Sequence, residues 1–78
     1  MAAVDNVTVN EVIKGLELVR AQLTGATSTY VSQKFSSVQG FKFSVEGTNS
    51  CTATRSGTTI TFTGTNDDWV NFQIWGQR

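Results

Sequence analysis

Few residues in this chain are equipped for chemistry: Cys51, the run Asn66-Asp67-Asp68, and the pair Trp69 and Trp75. There is no histidine. That removes the commonest general base, the commonest metal ligand and every Ser/His or Cys/His nucleophile pair. Cys51 is the single cysteine, so no intramolecular disulfide can form and no zinc set of several Cys or His ligands exists. Nothing near it in sequence suggests a lowered thiol pKa, and the expected role is a small buried apolar residue. Asn66-Asp67-Asp68 would bring oxygen donors to a hard cation, but the spacing does not match the calcium-binding loop motif. Asn and Asp tolerate turn dihedrals, so a plain connection is expected there. No glycine-rich phosphate loop of either common spacing occurs. The expectation is a protein that is not an enzyme and uses no metal and no cofactor.

Trp69 and Trp75 point to contact instead. Indole rings are enriched at interface hot spots because they supply large apolar area at small entropic cost. They sit in "WVNFQIW", residues 69–75, where Val70, Phe72 and Ile74 alternate with Trp69, Asn71, Gln73 and Trp75. Alternation of this kind is what a strand with one buried face produces. It recurs upstream. "FKFSVE" sets Phe41, Phe43 and Val45 on one face, "SCTATR" sets Cys51 and Ala53, and "TTITFT" sets Ile60 and Phe62. The expected strands are 41–46, 50–55, 58–63 and 69–75, with turn-rich connections between them.

A register follows. A two-residue turn at Ser56-Gly57 places Ala53 opposite Ile60 and Cys51 opposite Phe62. A loop at 64–68 places Phe62 opposite Val70 and Ile60 opposite Phe72. A loop at 47–49 places Val45 opposite Cys51 and Phe43 opposite Ala53. All the apolar residues then share a side, and a slip of one residue would turn a strand's apolar set to water. The expected sheet is a four-stranded antiparallel meander. Its other face would carry the rows Ser44, Thr52, Thr61, Asn71; Lys42, Thr54, Thr59, Gln73; and Glu46, Ser50, Thr63, Trp69. Strand propensity and cross-strand Thr pairing account for the threonines. They do not account for two tryptophans on what would be an unguarded edge strand.

The N-terminal part reads as helix. Thr8 and Glu11 have capping-box spacing. Val9, Val12, Ile13, Leu16, Val19 and Leu23 follow a helical period, and Gly25 suits the position after the last turn. A helix over 9–24 is expected to cover the apolar face of the meander. A second, short helix over 29–38 is expected within the ambiguous segment 26–40, on the spacing of Val31, Phe35 and Val38. The expected fold class is therefore α+β, in one small domain spanning 1–78.

Six acidic and six basic residues give zero net charge. A nucleic-acid binder needs a basic stripe and an anionic membrane a basic amphipathic helix, and neither is present. No basic region precedes an apolar run as in an export signal, and no stretch nears the roughly 20 apolar residues of a membrane span. Asn6-Val7-Thr8 matches a glycosylation acceptor, and without export it is read as chance. Near-zero charge protects poorly against association.

Three functions compete on these grounds. The first is a structural or assembly protein acting through contacts with itself or with other subunits. Its neutral, Thr/Ser/Asn-rich composition is like that of virion components such as capsid-decorating or adaptor proteins. The second is a small inhibitor or regulator of one host protein. The third is a carbohydrate-binding module that stacks sugars on Trp69 and Trp75. The candidate contact residues are Trp69, Asn71, Gln73 and Trp75, with Thr52, Thr54, Thr59, Thr61 and Thr63.

Overall fold

The computed structural model describes residues 2–10 and 16–77. The described chain is strand throughout its regular structure: β1 (Ala2–Ala3), β2 (Asp5–Asn10), β3 (Leu16–Gln22), β4 (Thr27–Val31), β5 (Ser37–Glu46), β6 (Thr52–Ser56), β7 (Thr59–Thr63) and β8 (Trp69–Gln77). They form two four-stranded sheets, ordered β1-β4-β7-β6 and β2-β3-β8-β5. All pairings are antiparallel except that of β1 with β4. We refer to the two as the threonine sheet and the tryptophan sheet, after what each shows to solvent.

The sheets pack face to face around one core. Val19, Ala21 and Leu23 point in from the β3 side, Tyr30 from β4, Ile60 and Phe62 from β7, and Val70, Phe72 and Ile74 from β8. The centre is aromatic: the Phe62 ring lies 4.9 Å from Phe72 and 5.9 Å from Phe43, and Tyr30 meets Phe72 edge-on at 5.1 Å. Such tilted and edge-to-face pairs are the favoured aromatic arrangements.

The expected α+β class is overturned, since among the described residues there is no helix. Where the helix over 9–24 was expected, Leu16–Gln22 is a strand whose inner face is Glu17, Val19 and Ala21. Val12, Ile13, Gly15 and the Glu11 half of the capping box lie outside the described residues. Thr8 is in β2, paired with Arg20. The strand escapes a periodicity search because its first inward residue is charged. Glu17 is fully buried, and four donors surround its carboxylate. These are the Tyr30 hydroxyl, the Ser32 hydroxyl at 2.8 Å, and the backbone N–H groups of Gln33 at 3.2 Å and Lys34 at 3.1 Å. Burial, and then the bond to Glu17, push the Tyr30 phenol well above its usual range, so Tyr30 keeps its proton and remains a donor.

The short helix over 29–38 is likewise absent. That span holds the end of β4 and the start of β5, joined by a turn that wraps around Glu17. Polar residues hide β4 too, because Ser28 and Tyr30 face inward. Ser28 is buried and its hydroxyl accepts the Thr24 N–H at 2.9 Å. Among the described residues no buried side-chain polar atom lacks a partner, as a stable interior requires.

In the C-terminal half the expected strands form, but the expected meander does not. The β6–β7 hairpin is the one of its three turns that exists. Its turn is Gly57-Thr58, with Ser56 opposite Thr59, and Gly57 takes φ +61°, which a two-residue hairpin demands of its first turn residue. Ala53 thus faces Phe62 and Arg55 faces Ile60, two residues away from the expected register, so the strand keeps its faces. The connections at 47–49 and 64–68 are crossovers between sheets rather than hairpins. β5 pairs with β8, and β7 with β4. Asp67 adopts φ +69° in the second crossover, in keeping with the turn role expected of Asn66-Asp67-Asp68.

Candidate interaction surfaces

Three surfaces follow from this arrangement. On the outer face of the threonine sheet, the outward residues of β4, β7 and β6 line up in three ranks: Thr27, Thr63, Thr52; Thr29, Thr61, Thr54; and Val31, Thr59, Ser56. No charge falls on any of them. All five expected threonines are here, but not in the expected rows. Thr52 pairs with Thr63 and Thr54 with Thr61, while Asn71, Gln73 and Trp69 are in the other sheet.

The outer face of the tryptophan sheet carries Trp69, Asn71, Gln73 and Trp75 along β8. Here the correction is one of place. β8 runs between β3 and β5, so Trp69 to Trp75 is an interior strand and not an open edge. Ser44 and Asn71, Lys42 and Gln73, and Glu46 and Trp69, which the expected rows set at opposite ends of the sheet, are instead directly paired. Both indoles are half-buried on the outer surface, not sunk in the core. The Arg20 guanidinium stacks 3.8 Å above the Trp69 ring. It also forks onto Glu46, with Nε donating at 2.6 Å and Nη2 at 3.1 Å, while Asn71 Nδ2 donates to the same carboxylate at 2.7 Å. These donors hold the Glu46 carboxyl below its usual range, the Arg20 bond contributing most. The same sheet holds a shallow cleft of about 690 Å³, lined by Thr8, Leu18, Arg20, Lys42, Ser44 and Gln73 among others and by neither indole.

Trp75 lies over the backbone of Gly40, opposite it in β5. A methyl group built on Gly40 would sit 2.5 Å from the indole Cζ2, so the ring must swing away. Gly40→Ala in a Trp69→Phe background is expected to red-shift the Trp75 emission and to cost about 1–3 kcal/mol. An unshifted spectrum refutes this packing.

The third surface was missed at the sequence level. Because Phe43 of β5 touches Phe62 of β7, and β6 lies beyond β7, the edges β5 and β6 border the same flank of the sandwich. The core is not closed there. Phe41, Phe43, Val45, Cys51 and Ala53 pack against it only partly buried, with Phe41 and Phe43 stacked at 6.3 Å. Cys51 was expected to be a small buried residue; it is a partly exposed free thiol, with burial and then nearby Asp68 raising its pKa. The alternation identified Phe41, Phe43 and Val45 as core. It could not show that their strand ends a sheet.

Comparison with protein-family models, with curated proteins and with solved structures gives no match for this chain. The functional reading therefore rests on the surfaces themselves. Among the described residues no three His, Cys, Asp or Glu side chains group as a metal site would.

Proposed function

We propose that this protein is a non-enzymatic assembly component, such as a virion decorating or adaptor subunit, which works by associating with itself through the β5/β6 flank. One observation carries the reading. A ten-residue strand ends its sheet and carries three partly buried apolar residues, Phe41, Phe43 and Val45, that a second protein surface would cover. Neither proline nor an inward charge interrupts β5 between Phe41 and Glu46, and its β-bulge falls earlier, between Val38 and Gly40. Proteins that stay monomeric protect such edges with those devices. Zero net charge agrees, because it offers little electrostatic resistance to association.

The test is the molar mass in solution. Sedimentation of the wild type at high micromolar concentration is expected to give a mass above the 8.5 kDa monomer. Phe41→Ser with Val45→Thr is expected to return it to the monomer while the far-ultraviolet dichroism stays that of a sheet protein. Both side chains are only partly buried, so the loss of stability stays near about 1–2 kcal/mol for each. A wild type that sediments as a monomer at every concentration ends the proposal.

Trp69 and Trp75, half-buried on the outer face of β8 on either side of Asn71 and Gln73, favour a second reading, carbohydrate binding. Indoles would stack on sugar faces, and Ser44, Asn71 and Gln73 would bond the hydroxyls. Tryptophan emission that does not change on adding oligosaccharides removes it.

A further inference from the structure

Resting on the assembly reading, we infer that the partner at the flank is a second copy of this chain, and that the two β5 strands pair antiparallel about a two-fold axis at Ser44. The argument comes from the order of residues in β5. An isologous contact presents the same strand to itself, so each possible centre sets a definite list of opposing pairs. Centring on a peptide bond, between two residues, would place inward residues opposite outward ones and turn one copy's apolar side to water. The axis must therefore pass through a residue.

Charge then chooses among the residues. With the axis at Lys42, two lysines oppose each other, which is destabilising. With it at Phe43 or Val45, Lys42 and Glu46 face neutral neighbours or fall beyond the strand. With it at Ser44, Lys42 lies opposite Glu46 of the second copy, and the pair occurs twice by symmetry. On the inner side Phe43 then meets Val45 of the second copy, also twice, and the two open flanks close over one another. The stretch Lys42-Phe43-Ser44-Val45-Glu46 is in this sense complementary to its own reverse.

The outer face is prepared for the contact. Lys42, Ser44 and Glu46 are exposed, whereas Glu46 is already oriented by Arg20 and Asn71. A carboxylate has lone pairs enough to accept a further ammonium. Glu46 is held below the ordinary carboxylate range, so its charge is in place above that range and is lost only as the pH falls through its lowered value. Lys42, a single lysine that would normally guard an edge, here finds its opposite charge in the pairing strand. Joining β5 to β5 extends each tryptophan sheet into one continuous eight-stranded layer, twice the four strands of one copy.

Cross-linking of the full chain tests the register, in a Cys51→Ser background that removes the native thiol. Directly opposed residues of an antiparallel pair lie about 4.5–5.5 Å apart at Cα, within the reach of a disulfide. Two copies of residue 42 in this register are four residues apart along the strands, or about 13 Å, beyond that reach. Ser44→Cys is expected to form a covalent dimer on mild oxidation, Lys42→Cys alone to stay uncrosslinked, and a mixture of Lys42→Cys and Glu46→Cys to form the mixed dimer. A cross-link through Lys42→Cys alone overturns the Ser44 axis. If the wild type self-associates and loses this with Phe41→Ser and Val45→Thr, yet none of these cysteines cross-links, strand pairing is wrong and the flank assembly stands. If the wild type is a monomer throughout, both fall.

Discussion

Glu17→Ala is expected to cost about 3–5 kcal/mol, a large share of the stability of a domain of this size. The substitution removes the one acceptor shared by four donors, and the site lies beneath the turn at residues 32–36, closed to water. Each orphaned buried donor costs about 1–3 kcal/mol, and breaking a buried charged network typically costs about 3–5 kcal/mol. A domain of this size has roughly 4–12 kcal/mol in all. Glu17→Gln keeps the volume and one acceptor oxygen but turns an N–H group toward other donors, so it should fall between wild type and alanine. Urea denaturation followed by dichroism ranks the three. An alanine variant within about 1 kcal/mol of wild type would show that the turn finds other partners.

Tyr30 belongs to the same network, and its direction with pH can be read from it. Its folded pKa is raised by burial and then by Glu17, while an unfolded tyrosine ionises near pH 10. The contribution is whole below that pH and is lost as the pH rises above it, because only the unfolded chain then releases the proton.

The second large effect is Phe62→Ala, expected to cost about 3–5 kcal/mol. Its ring is fully buried and stands between Phe43 and Phe72, at 5.9 and 4.9 Å. Phe43→Ala, at the open flank, is expected to cost about half as much, since part of its ring already meets water. The double variant should show a coupling of about 0.5–1.5 kcal/mol between the two rings. That coupling is specific to two stacked layers. In a single meander the two residues would belong to different, non-adjacent strands, and truncating one would leave the other untouched. A zero coupling energy, or a Phe62→Ala variant no weaker than Phe43→Ala, contradicts the sandwich.

The Phe43–Phe62 contact also shows what a test of alternation can establish. Every inward residue assigned in the C-terminal half does face the core: Phe41, Phe43, Val45, Ala53, Ile60, Phe62, Val70, Phe72 and Ile74 pack in or against one cluster. Agreement between apolar faces reads as evidence that the strands are neighbours in one sheet. The same agreement arises when strands oppose each other across an interior, because the oily sides must meet in both cases. The tryptophans illustrate this from the other side. Their outward direction was legible from Val70, Phe72 and Ile74, but their place on an interior strand depends on β3, which a helical reading had removed from the sheet.

The amino-acid order by itself determined the period of two from Phe41 to Trp75, the side on which each of those residues lies, and the scarcity of groups suited to catalysis. These are local properties, set by the pleat and by side-chain type. Tertiary structure alone decided that residues 16–22 are strand and not helix, that the strands form two layers, and that β5 is left at an open edge. The physical reason lies in Glu17, Ser28 and Tyr30. Their polar atoms are tolerable indoors only when each finds its partner, and for Glu17 and Tyr30 those partners come from another part of the chain.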